Sequence, residues 1–444
     1  MDWFASEHAA FRTDAEWSDF VTTHFSESTY LAESTNYPDA QLDLIYFDAG
    51  GGHRASAKAL ISVAEQQHRS WQINLINLRD LLEPADVIRR LTGVRIEDFY
   101  NSQLKSGLTI GTGPLLRITQ MLIRQLEPTM IKLLARHWQN SQPDLVVSMI
   151  PNFNHAILQG LRQADADETR LETPMITILT DLADYPPHFW IERQEQYLVC
   201  GTATAARQAI AMGHARERVF RTSGMIVRPE FYGSAEMSRE AERSRMGLDP
   251  ELPCGIVMFG SYGSSQMASI ARRIEAAQLK TQLIFICGHN DKLRDQIESM
   301  KLSYPFHCVG FTQEIPYYMR LADFFIGKPG PGSISEALVM GLPLIVERNA
   351  WTMVQERFNT DWIARNEIGV VLPSFREIAS AVATMLDREQ FQRLQTSVKA
   401  LDNRAVFEIP EILEALISQH RSANLAFGRN SVAAQFASEM HHSR

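Results

Sequence analysis

The chain reads as an α/β protein built from two parallel-sheet domains. Three observations predict this. Short runs rich in Val, Ile and Phe alternate with amphipathic stretches along most of the length. Two glycine loops each lead from such a run directly into a helical pattern. The 444 residues also exceed what one hydrophobic core usually serves.

The strand-like runs in the first half are Leu42 to Phe47, Leu145 to Met149, Met175 to Thr180 and Tyr197 to Cys200. Those in the second half are Gly255 to Phe259, Gln282 to Cys287, His307 to Phe311, Asp323 to Ile326 and Pro343 to Val346. They are short, largely apolar and end near Gly or a polar residue, as buried parallel strands do. Helical spacing lies between them. Ala57, Leu60, Ile61 and Ala64 share one face, and Ile334, Ala337, Leu338 and Gly341 share another.

The charge-dense, proline-bearing stretch around 229–253 marks the domain boundary. The expected organisation is an extension over 1–40, a first domain over 41–228, the linker at 229–253 and a second domain over 254–400. A weakly patterned tail is expected over 422–444.

Composition excludes several classes. The chain is 45% hydrophobic and 21% charged, which argues against wholesale disorder. Its 43 Lys+Arg against 52 Asp+Glu leave a charge of −9, so no nucleic-acid partner is expected. The start, MDWFASEHAAFRTDAEW, lacks the basic opening and apolar core of a signal peptide. No apolar run reaches the ~18–20 residues that span a bilayer. Cys200, Cys254, Cys287 and Cys308 lie apart in apolar surroundings, as free thiols of a reducing cytoplasm do.

Two loops carry the chemistry. DAGGGHRASAKAL (48–60) places three glycines between a strand and a helix start. Such a turn lets a ligand approach the main chain and offers it unpaired N–H groups. It is neither a Walker A loop nor a GxGxxG fingerprint. His53 stands at its mouth, and the residues alone leave two readings open: a general base, or a structural imidazole capping the turn. The second loop, FFIGKPGPGSISEALVMGLPLIV (324–346), ends a strand in Lys328-Pro329-Gly330-Pro331-Gly332. Ser333 fits an N-cap with Glu336 three residues later. Such a loop suits a diphosphate. Glu336 is either the far half of a capping box or an acceptor of ribose hydroxyls.

Together these segments resemble glycosyltransferase family 28, above all the monogalactosyldiacylglycerol synthases and their bacterial relatives. The resemblance runs from about Leu42 to about Leu416 through GGGHRASA (50–57), TDLADYPPHFW (180–190), VCGTATAARQAIAMG (199–213), RTSGMIVRPEFY (221–232), ICGHNDKL (286–293), VGFTQEI (309–315), GKPGPGSISEALVMGLPLI (327–345) and VQE (354–356). It implies the GT-B architecture: two Rossmann-like domains face each other across a cleft, and a C-terminal helix, here 401–421, crosses back.

By position, the resemblance assigns Gly330, Gly332 and Ser333 to a diphosphate cradle, Pro331 between them to donor binding, and Glu336 to the ribose. Phe311 and the 287–289 turn with Gly288 fall to the uracil side, Ser261 to donor binding, and Gln355 and Glu356 to the sugar hydroxyls. His53 aligns with the proposed base, and Gly51, Gly52, Pro151, Asn152 and Asp181 line the acceptor side. Two departures stand out. FGSYGSSQM (259–267) is poorer in glycine than the plant counterparts. SMIPNFNHA (148–156) keeps Pro151 but lacks the preceding His, so Asn152, Asn154 and His155 become candidates to touch the acceptor.

The implied reaction is inverting transfer of galactose or glucose from a UDP-sugar to a lipid acceptor, foremost diacylglycerol, with no cofactor and no metal site. The alternatives are a UDP-sugar 2-epimerase, a transferase for another acceptor, and a binding protein without catalysis. The stretch 107–140 combines Leu115, Leu116, Ile118, Met121, Leu122 and Ile123 with Arg117, Arg124, Lys132 and Arg136. Pro128 is expected to split it into two helices. Such a segment suits either an ordinary packed helix or peripheral contact with anionic lipid at the inner face of the cytoplasmic membrane.

Overall fold

The computed structural model describes residues 39–47, 52–82, 112–166, 171–233, 237–350 and 352–442. Both sheets lie in one compact unit, Gln41–Arg444.

The first half runs β1 (Ala40–Tyr46), α1 (Gly52–Gln66), β2 (Trp71–Asn77), α2 (Leu78–Leu82), α3 (Thr112–Ser141), β3 (Leu145–Ser148), α4 (Asn154–Ala164), β4 (Met175–Ile178), β5 (Tyr197–Cys200), α5 (Ala203–Ala211) and β6 (Val219–Arg221). The strands form one sheet in the order β2-β1-β3-β4-β5-β6. From β1 to β6 neighbours run parallel, with Leu42 opposite Leu145 and Ile176 opposite Tyr197. The largely buried β1, β3, β4 and β5 are the apolar runs of the sequence.

After α6 (Arg239–Arg245) the second half runs β7 (Cys254–Met258), α7 (Gln266–Ala277), β8 (Gln282–Ile286), α8 (Asp291–Glu298), β9 (Phe306–Val309), α9 (Ile315–Arg320), β10 (Phe324–Gly327), α10 (Pro331–Val339), β11 (Leu344–Glu347), α11 (Arg357–Arg365), β12 (Gly369–Leu372), α12 (Ile378–Leu386) and α13 (Arg388–Lys399). Its parallel sheet has the order β12-β11-β10-β7-β8-β9. Counted within the domain this is 6-5-4-1-2-3, the dinucleotide-binding winding.

Each winding has one point where the order reverses: between β1 and β3 in the first sheet, and between β7 and β10 in the second. In open α/β sheets, ligands bind in the crevice beyond the strand carboxyl ends at such points. The loop leading to His53 follows β1, and the Lys328 loop follows β10. Topology therefore singles out the same two loops as the glycine pattern.

Packing corrects two expectations. Pro128 does not divide the 107–140 stretch, because α3 continues through it. Its missing N–H and ring clash cost about 3 kcal/mol in a helix interior. Ile123 before it and Met130, Leu134 and Trp138 after it bury against the same core, and this holds both sides in line. α4 approaches α3 so closely that a Cβ at Gly160 would lie 2.6 Å from the Leu134 Cβ.

The stretch from Ser422, expected as a weakly patterned tail, instead continues α14, which runs from Ala405 to His442. That helix returns to the first sheet. Val406 packs on Ala59 and Val63, Arg421 forks onto Asp144 at 3.0 and 2.8 Å, and the Trp71 indole donates to Glu414 at 3.0 Å. Part of 229–253 is likewise folded. Arg243 of α6 is buried and donates to the carbonyls of Leu321, Pro250 and Leu252 and to Asp323.

Among the described residues all four cysteines are free, and no helix is long and apolar enough to cross a membrane. Residues 1–38 and 83–111 lie outside the described residues, and the latter segment includes the beginning of the 107–140 stretch.

Candidate functional site

On the second sheet, the loops after β7 and β8 interlock. Gly288 has φ +60°, and a Cβ there would lie 2.1 Å from the Ser261 carbonyl oxygen. The His289 N–H donates to that same oxygen at 2.8 Å. Only glycine permits both the left-handed turn and the close approach. The turn presents the His289 ring, which stacks on Phe311 with centroids 3.9 Å apart and planes at 15°. Tyr262 flanks it at 5.9 Å. Phe311 is 55% exposed, so a large aromatic surface stands open beside Ser261 and Gly288.

The Lys328 loop differs from its expected form in one respect. Ser333 is not the N-cap. Gly330 occupies that position with Pro331 as the first helical residue, and Ser333 lies inside α10. Proline is preset for the first helical position, so the helix starts earlier than a Ser–Glu capping box requires. Glu336 is therefore not tied to the helix start.

No side chain caps α10. Space beyond the Gly332 Cβ position is empty to 4 Å, and Gly332 is exposed in the first turn of α10. The Lys328 side chain lies between the two loops: a Cβ at Gly260 would be 3.8 Å from its Nζ, and one at Gly330 3.8 Å from its Cε. Sequence pattern alone singles out neither Lys328 nor Arg228 as a site residue, although Arg228 also acts on this region through its charge.

Two acidic groups stand at this edge. Glu336 is half-buried, and loss of water pushes its carboxyl up to about 7, opposed only partly by Arg228. Glu356 is buried on the turn Val354–Glu356, its Oε1 3.5 Å from where a Gly330 Cβ would stand. Burial raises its carboxyl too, against the attraction of Lys328. Neither accepts a hydrogen bond from any described residue. Gln355 precedes Glu356 on the same turn and is half-buried.

On the first sheet, His53 lies in the opening turn of α1, and its Nδ1 is 3.1 Å from the Thr180 hydroxyl. The Trp190 ring stands 5.9 Å away at 51°. Burial pushes the imidazole down to about 4, opposed by the Met149 carbonyl. It is therefore neutral at physiological pH, the state a proton acceptor needs. Asp181 accepts from the Trp190 indole N–H at 2.8 Å. Its carboxyl is pushed up to about 7, first by burial and then by the neighbouring Glu356 and Asp184 charges. Glu356 belongs to the second sheet, so this repulsion places the two acids across one cleft.

The remaining acceptor-side candidates divide. Gly52 begins α1 with open space around it, whereas Gly51 lies outside the described residues. Pro151 and Asn152 sit at the end of β3, with Asn152 at φ +66° and its N–H donating to the Phe189 carbonyl at 2.8 Å. Asn154 is not available to a ligand. It is buried and holds Ser148, Ile150 and Trp190 together by hydrogen bonds of 2.7, 3.1 and 3.0 Å. His155 is paired with Glu127 of α3. Asp184, which carries no signal in the sequence pattern, organises the wall by accepting the N–H groups of His188 and Trp190 at 2.9 and 2.6 Å. Among the described residues no group of three or more His, Cys, Asp or Glu side chains is placed to hold a metal.

Two doubly wound sheets, with a helix start following the reversal-point strand of each and acids approaching from both sides, have the GT-B architecture. Residues 256–348 match the glycosyltransferase family 28 C-terminal domain. The chain is similar to the chloroplastic monogalactosyldiacylglycerol synthase of Spinacia oleracea, at 29% identity over 85% of this chain and 72% of that protein. Among solved structures it is similar to MurG of Acinetobacter baumannii, with TM-score 0.52, 10% identity, and coverage of 85% of this chain and 100% of that one. It is comparably similar in fold to a UDP-GlcNAc 2-epimerase from Neisseria meningitidis bound to UDP-GlcNAc, with TM-score 0.53, 12% identity, and coverage of 85% and 100%. The domain match over 256–348 supports a hexosyltransferase, similar to the monogalactosyldiacylglycerol synthases.

Proposed function

We propose that the chain transfers galactose or glucose from a UDP-sugar to diacylglycerol with inversion at the anomeric carbon. The observation that carries this reading is a neutral imidazole, His53, on the opposite side of the cleft from an uncapped, cation-flanked helix start. In the proposed reaction the acceptor oxygen attacks the anomeric carbon as the bond to the β-phosphate oxygen breaks, and that electron pair leaves with UDP. His53 takes the hydroxyl proton as the new bond forms. Because the proton leaves only once the oxygen is already bonding to carbon, a weakly basic imidazole suffices, provided that it is unprotonated beforehand.

Charge accumulates on the departing diphosphate, where Lys328, Arg228 and the N–H groups at the start of α10 stabilise it. The Phe311–His289 stack suits a uracil face. Glu336 suits vicinal ribose hydroxyls, and Gln355 and Glu356 suit the hydroxyls of the hexose. Similarity to the spinach enzyme supports diacylglycerol as acceptor, and the basic residues of 107–140 support peripheral binding to anionic lipid from the cytoplasmic side.

The test is UDP release across a panel of UDP-sugars, with and without diacylglycerol vesicles. Release that requires both one sugar and the lipid is the expected result. Conversion of the UDP-sugar without lipid would replace the reading with an epimerase. Tight UDP binding without turnover on these vesicles would discard diacylglycerol as acceptor.

A further inference from the structure

We infer that Thr180 is the positioning residue of the catalytic base: its hydroxyl accepts the Nδ1–H of His53 and so leaves the lone pair on Nε2 for the acceptor hydroxyl. This deepens the function proposed above and rests on it. A neutral imidazole has one N–H and one lone pair, so a base works only when the proton sits on the nitrogen turned away from the substrate.

Among the described residues, Thr180 supplies the one side chain within hydrogen-bond distance of the ring, at 3.1 Å from Nδ1. The carboxylate next in sequence has a partner other than the ring: Asp181 Oδ2 accepts the Trp190 indole N–H at 2.8 Å. Trp190 is fully buried and its own N–H and C=O are bonded to Asp184 and Asn154, so this wall is fixed. Thr180 follows β4 closely, and the Leu179 N–H donates to the Val199 carbonyl at 3.1 Å. The hydroxyl is thus anchored to the sheet on one side of the ring, with the indole beside it. An uncharged partner also agrees with the low basicity of His53, since a carboxylate at Nδ1 would hold the proton more tightly.

Three variants test this: Thr180→Val, which keeps the shape without the hydroxyl, Thr180→Ser, which restores it, and His53→Ala. Two readouts apply, the 15N tautomer signature of His53 in the free protein and the split between kcat and KM. The wild type should show an Nδ1–H imidazole. In Thr180→Val that character should be lost. Turnover should fall roughly 10- to 100-fold, within the scale of acid–base catalysis, with KM for the UDP-sugar unchanged within about twofold. Thr180→Ser should recover both.

An Nε2–H signature in the wild type would overturn the inference and give the ring proton to the Met149 carbonyl instead. An unchanged tautomer in Thr180→Val overturns it whatever the substrate, since that measurement needs none. Equal impairment of the Val and Ser variants also overturns it and makes Thr180 a packing residue. If His53→Ala turns over like the wild type, the base reading itself falls and takes this inference with it. A dead His53→Ala beside a fully active Thr180→Val removes Thr180 alone.

Discussion

Replacing Glu336 by Gln should stabilise the unliganded protein while weakening its hold on UDP. In the free protein this carboxylate is held without a hydrogen bond from any described residue, and burial moves it from 4.5 to about 7. At about 1.4 kcal/mol per pH unit, holding it ionised costs the fold about 3 kcal/mol. The sign follows from proton uptake. Between pH 4.5 and about 7 the folded state keeps a proton that the unfolded chain has released, so stability falls as pH rises through that window. The cost is absent below it and complete above it.

Glutamine removes the charge but still buries an amide, which reduces the net gain to about 1–3 kcal/mol. That corresponds to a rise in melting temperature of about 1–4 °C at about pH 8 and almost none at about pH 4. UDP binding should move the other way. Hydrogen bonds to a charged acceptor contribute about 1.5–3 kcal/mol, so affinity should drop roughly 10- to 150-fold. Thermal melts at those two pH values and calorimetric titration with UDP provide both numbers. 2′,3′-Dideoxy-UDP should bind wild type and variant alike. If Glu336→Gln melts lower than wild type at the higher pH, the buried-charge reasoning is wrong; if it binds UDP undiminished, the ribose role is wrong.

Lys328→Met should cut turnover by about 100- to 1,000-fold, as loss of one preorganised charge stabiliser does, and lower the melting temperature slightly at neutral pH, because its charge offsets part of the cost of burying Glu356; unaltered turnover would remove it from the leaving-group site. Phe311→Ala should weaken UDP by roughly 5- to 150-fold, the loss of one stacked base, and shift stability by less than about 0.5 kcal/mol, since the ring is already 55% exposed. Asp181→Asn should flatten the loss of stability that the wild type shows from the ordinary carboxylate range up to about pH 7, because this carboxyl also keeps its proton up to about 7 only in the folded state. A variant whose melting profile follows the wild type through that range would contradict the burial of Asp181.

Nine of the twelve strands described are legible as apolar runs, and the three that are not share a cause. β2 and β12 close the two sheets and β6 closes the far side of the first, so all three are edges. β2 is half-exposed along most of its length, β6 has three residues, and β12 is mostly half-buried. An edge strand has no obligation to be apolar on both faces, so its signal disappears. The two loops are legible because glycines and prolines act locally. Ser333 shows the limit of that logic. Its spacing to Glu336 satisfies a capping box, but Pro331, with its φ already preset for the first helical position, starts the helix earlier. Lys328, Arg228 and Thr180 leave no local trace of the roles proposed for them. What they do depends on loops brought together from different strands, and no periodicity encodes that.

The acidic residues themselves separate framework from site. Away from the cleft, the acids that fasten helices to sheets are satisfied. Asp43 accepts from Asn74 and Trp138 at 2.9 and 3.0 Å. Asp144 accepts the Arg421 fork, and Asp323 accepts from Arg239, Arg243 and the Cys254 N–H at 2.7, 2.8 and 2.8 Å. Those pairs fasten helices to sheets. At the cleft, Glu336 and Glu356 accept nothing from a described residue, and Asp181 accepts one indole N–H. All three are raised by burial. Three buried acids short of donors at one cleft suit the hydroxyl-rich ligand proposed above. A sugar nucleotide carries such donors on both ribose and hexose. Its binding would satisfy two acids from the second sheet and draw Asp181, from the first, onto the same molecule, so the affinity that offsets these unmet charges is also what would bring the two domains onto one substrate.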